Sequence, residues 1–355
     1  MAGGKLDDLA IWRGPETWIG RDVAKNSSWA FEFNAQHLKE IENAVTDTRK
    51  ANLAIQNITR ETFRLPVLGC SFIEIQREIL QGRGFVILRK LPVDEWELEN
   101  IVRAYWGIGC WFGDPVPQNR IGHLIGHIID HRISNGSTQR IYKTNRAQPF
   151  HSDSCDIAGL LCLRSAKLGG ASAIASAAAV HNYILETNPD ELRTLYDVFY
   201  CDRYGEVPYR KKPFYQIRIF NRMGQYLTCC GMDPDIWSAQ RLKEVPRLTQ
   251  QQKSALKSFQ KACFKFSFPY ILKAGEIQLV HNHTVLHARG HFDDYPEPEK
   301  QRYLLRLWLS TSNGRVLPEL MAQRWGSIKV GTKRGGITVP GQTPHISLRP
   351  DSFSL

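Results

Sequence analysis

The stretch Arg302-Tyr303-Leu304-Leu305-Arg306-Leu307-Trp308-Leu309 alternates in the manner of a strand. Side chains two apart share one face of a strand, so Arg302, Leu304, Arg306 and Trp308 fall on one side and Tyr303, Leu305, Leu307 and Leu309 on the other. The second face is apolar and suits a cover of helices. The first carries two cations inward, and an unpaired buried guanidinium is costly. Anions must therefore lie inside, either as Asp and Glu side chains or as carboxylate ligands.

Upstream stands His281-x-His283-x3-His287-x3-His291. On a helix, His283, His287 and His291 would share a face and suggest zinc. The run Gly275-Glu276-Ile277-Gln278-Leu279-Val280 before it and Gly290 within it favour strand and turn instead. His281, His283 and His291 then read singly as polar residues near strand ends. His287 differs because Phe150-His151-Ser152-Asp153 supplies two further ligand types. On a strand His151 and Asp153 project from one face while Ser152 points away. Two histidines and one carboxylate leave three coordination positions open, as in non-haem Fe(II) oxygenases.

Around these motifs the texture is mixed. Apolar residues recur at helical spacing from Asn34 to Ile58, and again from Phe72 to Leu80 before Gly82-Arg83-Gly84. Phe85 to Leu88 reads as a strand, and Asp94 as the cap of a helix through Tyr105. After Pro115 come short β-type runs at 121–129, 140–142 and 157–164. Ser176 to Tyr196 is helical with a break at Asn188-Pro189, and a helix capped by Thr249 runs to Phe264. Strands resume at 266–268, 277–281 and 303–309. The pattern predicts an α+β chain whose many short strands close into a sandwich or barrel of jelly-roll type. One domain over 1–355 is expected, with a helix-rich part to about 115, a barrel core over about 116–320 and a looser tail marked by Gly335-Gly336 and Gly341.

Of the 355 residues, 42% are hydrophobic and 23% charged, which describes a globular chain with ample core. No run approaches the roughly 18 apolar residues of a membrane helix, and the first residues lack a signal-peptide core, so no membrane and a cytoplasmic location are expected. Eight cysteines without a repeated Cys-x-x-Cys read as reduced, mostly buried thiols. The net charge of +11 is spread in short pairs such as Arg89-Lys90, Lys211-Lys212 and Lys333-Arg334. That distribution suits a solvated surface or acidic small molecules better than nucleic acid.

The motifs together resemble the taurine dioxygenase family of Fe(II)- and 2-oxoglutarate-dependent oxygenases, particularly its clavaminate synthase-like branch. The likeness runs through Gly82 to Pro92, Gly113 to Asn119, Phe150 to Asp156, Gly169-Gly170-Ala171-Ser172 and Asn282 to Leu309. It implies a double-stranded β-helix, a cupin-like jelly roll with flanking helices and a metal at its open mouth. His151, Asp153 and His287 would hold Fe(II). Arg302, fifteen residues after His287, would pair with the distal carboxylate of 2-oxoglutarate. Ser172 stands where the family commonly has threonine as a second donor to that carboxylate. Arg306 resembles a position near the co-substrate or an anionic group of the substrate. The implied reaction consumes O2 and 2-oxoglutarate and oxidises an unactivated C–H bond, as hydroxylation, desaturation or oxidative cyclisation.

Substrate choice rests with the mouth loops, where Tyr142, Lys143, Asn145, Arg146, Gln118 and Asn119 are polar candidates; Lys211 to Tyr215 suggest part of a lid. A small carboxylate-bearing or amino-acid-like molecule of specialised metabolism or catabolism is the expected substrate. A hydroxylase or demethylase of protein or nucleic acid on the same scaffold is the rival, and a non-enzymatic metal-binding barrel is a second. A homo-oligomer is left open.

Overall fold

Alternation along Tyr303–Ser310 sorts the core into layers. Tyr303, Leu305, Leu307 and Leu309 join one apolar cluster, whereas Leu304 and Trp308 join another. The computed structural model describes residues 9–132 and 141–350. Its larger sheet runs in the order Ala30–Glu32, Phe85–Arg89, Ile277–His281, Ile157–Arg164, Tyr303–Ser310 and Asp114–Pro115, with Ile125–Ile128 also paired to Tyr303–Ser310. A smaller sheet runs Phe268–Tyr270, Ser172–Ser176, Val285–Arg289 and Gln148–His151. The pairing of Ala30–Glu32 with Phe85–Arg89 is parallel, and the others in these sheets are antiparallel.

The space between the sheets is filled by Ala158, Cys162, Val280, Leu304 and Trp308 from the larger and by Ile174, Val285 and Phe268 from the smaller. Helices Ala35–Lys50, Leu68–Gln81 and Leu98–Gly109 cover the outer face of the larger sheet. Helices Ala177–Thr187, Pro189–Leu195 and Gln250–Phe266 cover the smaller. The result is a jelly roll with helices on both flanks.

Local chemistry explains most boundaries. Asn34 caps the first long helix through His37 N–H, and His37 answers from its side chain. That helix ends well before Ile58, because Asn52 adopts φ 52° and turns the chain. The next begins at Leu68, earlier than its apolar spacing suggests, because Glu40 accepts hydrogen bonds from the N–H groups of Val67 and Leu68. Gly84 follows at φ 91°, where a Cβ would lie 2.8 Å from Thr284 Oγ1. Ser176, Asn188 and Thr249 cap their helices as their residue types predict.

Four expectations shift. Asp94 caps nothing; the helix starts at Leu98 after a turn. The run at 121–129 narrows to the strand Ile125–Ile128. Ile141–Lys143 is a 3-10 turn, since both N and Oγ1 of Thr144 donate to Ile141 O and close it, while Arg140 lies outside the described residues. The helix to Phe264 continues to Phe266, leaving Phe268–Tyr270 as the strand.

The tail expected to be loose is packed against the site. Arg334 donates from Nε and Nη2 to the Asp156 carboxylate at 2.8–3.0 Å. Gly336 N–H donates to Ser154 O at 2.7 Å and Ile337 N–H to Pro117 O at 2.8 Å. Gly335, at φ 81°, has no room for a side chain: a Cβ would sit 2.6 Å from Ser154 O. These glycines serve close approach of two backbones. The eight cysteines are free thiols, and six are buried. No helix among the described residues is long and apolar enough to cross a membrane.

Candidate metal centre and its two cavities

His151 ends the strand Gln148–His151 and lies opposite His287 in the antiparallel pair with Val285–Arg289. Asp153 follows two residues later. The pairing gathers all three side chains, with one potential ligand atom from each within 4.8 Å of the others. Asp153 Oδ2 lies 3.6 Å from His287 Nε2, and Oδ1 lies 4.0 Å from His151 Nε2. All three residues are less than a tenth exposed. This donor set can hold one divalent ion and leave positions open for exchangeable ligands.

Neighbours prepare the ligands. His151 Nδ1 lies 2.9 Å from the carbonyl oxygen of Pro149, an acceptor only, so Nδ1 carries the proton and Nε2 presents its lone pair. Gln148 Nε2 donates to that lone pair at 2.9 Å. Burial, reinforced by His287, pushes the His151 pKa down to about 3 and keeps the ring neutral. Burial alone would raise Asp153, but Arg306 and the two imidazoles override it and hold the carboxyl well below its ordinary range. Trp308 Nε1 donates to Asp153 Oδ2 at 2.8 Å, and Asp153 N–H donates to Asn282 Oδ1 at 3.1 Å.

One cavity leads from His151, Asp153 and His287 to Ser172, Arg289 and Arg302. Arg302 is 5% and Arg289 7% exposed. Nη1 of Arg302 and Nε of Arg289 meet no partner among the described residues. Both guanidinium groups stack against Phe292, at 5.1 and 5.0 Å. Burial pushes Arg302 down to about 10 and Arg289 to about 9. Two buried cations with unanswered N–H groups call for an anion in this cavity. A dicarboxylate with one end at the metal and the other at Arg302 fits that demand.

A second cavity opens on the other side of His151 and Asp153, towards Ser154, Tyr204, Asp235 and Arg324. Tyr142 and Arg306 line both. Arg306 stacks on Tyr142 at 5.0 Å and Trp308 at 4.6 Å, donates to Gln118 Oε1 at 2.8 Å, and reaches Asp153 Oδ1 at 3.5 Å. It divides the cavities.

The structure thus brings His151, Asp153, His287, Ser172, Arg302, Arg306 and Tyr142 together. Asn145 stays outside both cavities; the chain turns away after Thr144, and the Asn145 carbonyl accepts from Phe292 N–H at 3.2 Å. Asn119 is spent locally, its side-chain oxygen accepting from the N–H groups of Ile121, Gly122 and His123. His283 lies outside the donor set; its Nε2 pairs with Asp156 Oδ1 at 2.9 Å. His291 is on the surface beside Asp293. Arg289, Gln148, Arg324 and Asp235 escaped the sequence reading. Arg289 alone carried a signal, since it lies two residues after His287 and shares its strand face.

Residues 53–308 match the family described as taurine catabolism dioxygenase TauD, TfdA family. FR-33289 synthase of Streptomyces rubellomurinus is 29% identical over 320 residues, covering 88% of this chain and 94% of its own. Taurine hydroxylase-like protein SAT17 of Stachybotrys chartarum is 28% identical, covering 86% of this chain and 80% of its own. Among solved structures, asparagine oxygenase with Fe(II), 3-hydroxyasparagine and succinate superposes with a TM-score of 0.63 at 15% identity, over 80% of this chain and 94% of that one. The non-heme iron oxygenase OrfP with Fe and alpha-ketoglutaric acid gives 0.58 at 12% identity, over 80% and 95%. The shared fold is the double-stranded β-helix.

Proposed function

The chain belongs to the TauD, TfdA family and is a non-haem Fe(II)- and 2-oxoglutarate-dependent dioxygenase, and on that premise we propose that His151, Asp153 and His287 hold its iron while Arg302 and Ser172 hold its 2-oxoglutarate. One observation carries this reading. The His/Asp/His donor set and a buried arginine with an unanswered nitrogen face the same cavity.

Bound there, Fe(II) and 2-oxoglutarate supply the electrons that make O2 an oxidant for an unactivated C–H bond, with release of succinate and CO2. The residues of the chain do the positioning. Pro149 O fixes the His151 tautomer, and Trp308 and Arg306 fix the Asp153 carboxylate. Arg302 offers a planar fork to the distal carboxylate, with Arg289 adding a second positive charge beside it. A metal held by His151 would take the Nε2 lone pair to which Gln148 Nε2 donates in this structure.

The second cavity receives the substrate. Arg306 and Arg324 offer cations, Asp235 a carboxylate, and Tyr142 and Met232 apolar surface. Cations and a carboxylate around one small space favour an amino-acid-like or other carboxylate-bearing molecule. The amino acids bound in solved structures of asparagine oxygenase and OrfP, 3-hydroxyasparagine and L-Arg, are of that class. Anaerobic addition of Fe(II) and 2-oxoglutarate tests the reading: a weak visible charge-transfer band develops with the native chain and is absent from His151→Ala and Asp153→Ala. Native protein that binds iron without the band refutes it.

A further inference from the structure

Beyond the iron site, a cleft of about 460 Å³ lies between the loop that follows Phe199–Asp202 and the segment around Glu244 to Pro246. Arg203, Arg210, Lys211 and Lys212 line it, with Glu244 the single carboxylate among the lining residues. Pro208 O accepts from Lys211 N–H at 3.0 Å, and Arg210 sits in the left-handed region at φ 57°. This turn presents three successive cations, all exposed. Lys212 and Glu244 pair only at 3.6 Å, and both are about two-thirds exposed, so the pair is weak.

Arg203 makes the cleft more than a basic surface. It is 4% exposed. Its Nη2 donates to Gln323 O at 2.6 Å, while Nε and Nη1 meet no partner among the described residues. Burying a guanidinium with two of its three nitrogens unanswered is costly unless an anion meets them. Four cations against one carboxylate exceed what a carboxylate ligand neutralises. A phosphate monoester carries roughly two negative charges at neutral pH, and a second phosphate brings the total to about three.

We propose that this cleft binds a diphosphate group, with Arg203 on its floor and Arg210, Lys211 and Lys212 at its rim. The site also touches the substrate cavity through a shared wall. Tyr215 lies between Arg203 at 5.0 Å and Arg324 at 5.6 Å, and Arg324 lines the substrate cavity. Neighbouring residues face the two spaces, Arg203 and Gln323 the cleft and Tyr204 and Arg324 the cavity. The inference does not depend on the chemistry at iron.

The test is anaerobic calorimetric titration of the full chain, loaded with Fe(II) and 2-oxoglutarate, with inorganic pyrophosphate and, separately, adenosine diphosphate. The visible band is followed throughout. Native protein binds with Kd below about 1 mM at low salt and more weakly as salt rises. Lys211→Glu/Lys212→Glu and Arg203→Gln each keep the band and bind at least about tenfold more weakly. Equal affinity for the two titrants marks recognition of the phosphates alone. Tighter adenosine diphosphate marks an ester whose organic part also makes contact. Absence of binding by the native chain, equal affinity in both band-retaining variants, or heat that tracks loss of the band each overturns the proposal, the last by putting the anion on the iron.

Discussion

Trp308 donates its indole N–H to Asp153 Oδ2 at 2.8 Å from the strand Tyr303–Ser310 of the larger sheet. The carboxylate at the metal centre is therefore oriented by a residue 155 positions away in the chain. Trp308→Phe keeps the ring packing and deletes the donor. Metal affinity should fall roughly 10-fold or more, in the range seen when partners of metal ligands are removed. Competitive titration with a metal-binding dye checks this, and unchanged affinity would show that the bond does not orient Asp153.

Arg302→Gln removes the cation from the far end of the first cavity. The 2-oxoglutarate concentration needed for half-development of the visible band should rise about 30-fold or more, the equivalent of about 2 kcal/mol. Metal affinity should change little, because Arg302 is not a partner of His151, Asp153 or His287. An unchanged 2-oxoglutarate requirement would refute the role given to Arg302.

Arg334 is 2% exposed and binds Asp156, which is itself fully buried and also receives hydrogen bonds from His283 Nε2 and Thr311 N–H. Removing one partner of such a pair strands the other charge, at a cost of about 3–5 kcal/mol. Arg334→Met should lower the urea midpoint correspondingly. Asp156→Asn/Arg334→Met should recover part of the loss, since it removes both charges. A single variant as stable as the native chain would contradict the burial of this pair.

Acid should destabilise the metal-free protein as pH falls below the ordinary imidazole range. Burial pushes His181 from 6.5 down to about 4, and burial followed by Arg315 lowers His281 as well. Both rings are neutral in the fold and take up a proton on unfolding. Below pH 6.5 the unfolded chain holds the extra protons, so stability falls as pH falls, by up to about 1.4 kcal/mol per pH unit for each histidine. Urea unfolding at pH 7, 6 and 5 checks the slope; a flat profile would show that the rings are not held neutral.

Spacing and alternation made the metal centre legible, because each depends on residues close in sequence. His151 and Asp153 share a strand end, and Arg302, Arg306 and Trp308 share a strand face. Partners across the fold were not legible. Nothing near Trp308 in sequence points to Asp153, and nothing near Gly335 points to Ser154. Arg306 carried its direction in the sequence but not its engagement with Gln118. Thr144 turned an apparent β-run into a 3-10 turn by a local hydrogen bond that residue type alone does not announce. Asn145 was near the right strand yet faces elsewhere, since that turn swings the chain away.

The pair between Asp156 and Arg334 closes a loop of 178 residues, and Gly336 follows it onto Ser154 in the metal loop. On a ribosome the two histidines and the aspartate emerge well before that clasp exists. The support of the metal loop can be completed only after Arg334 has been made. The order of synthesis therefore puts the finishing contact of the metal loop after all three ligands, and a chain cut short before Arg334 carries every ligand without that support.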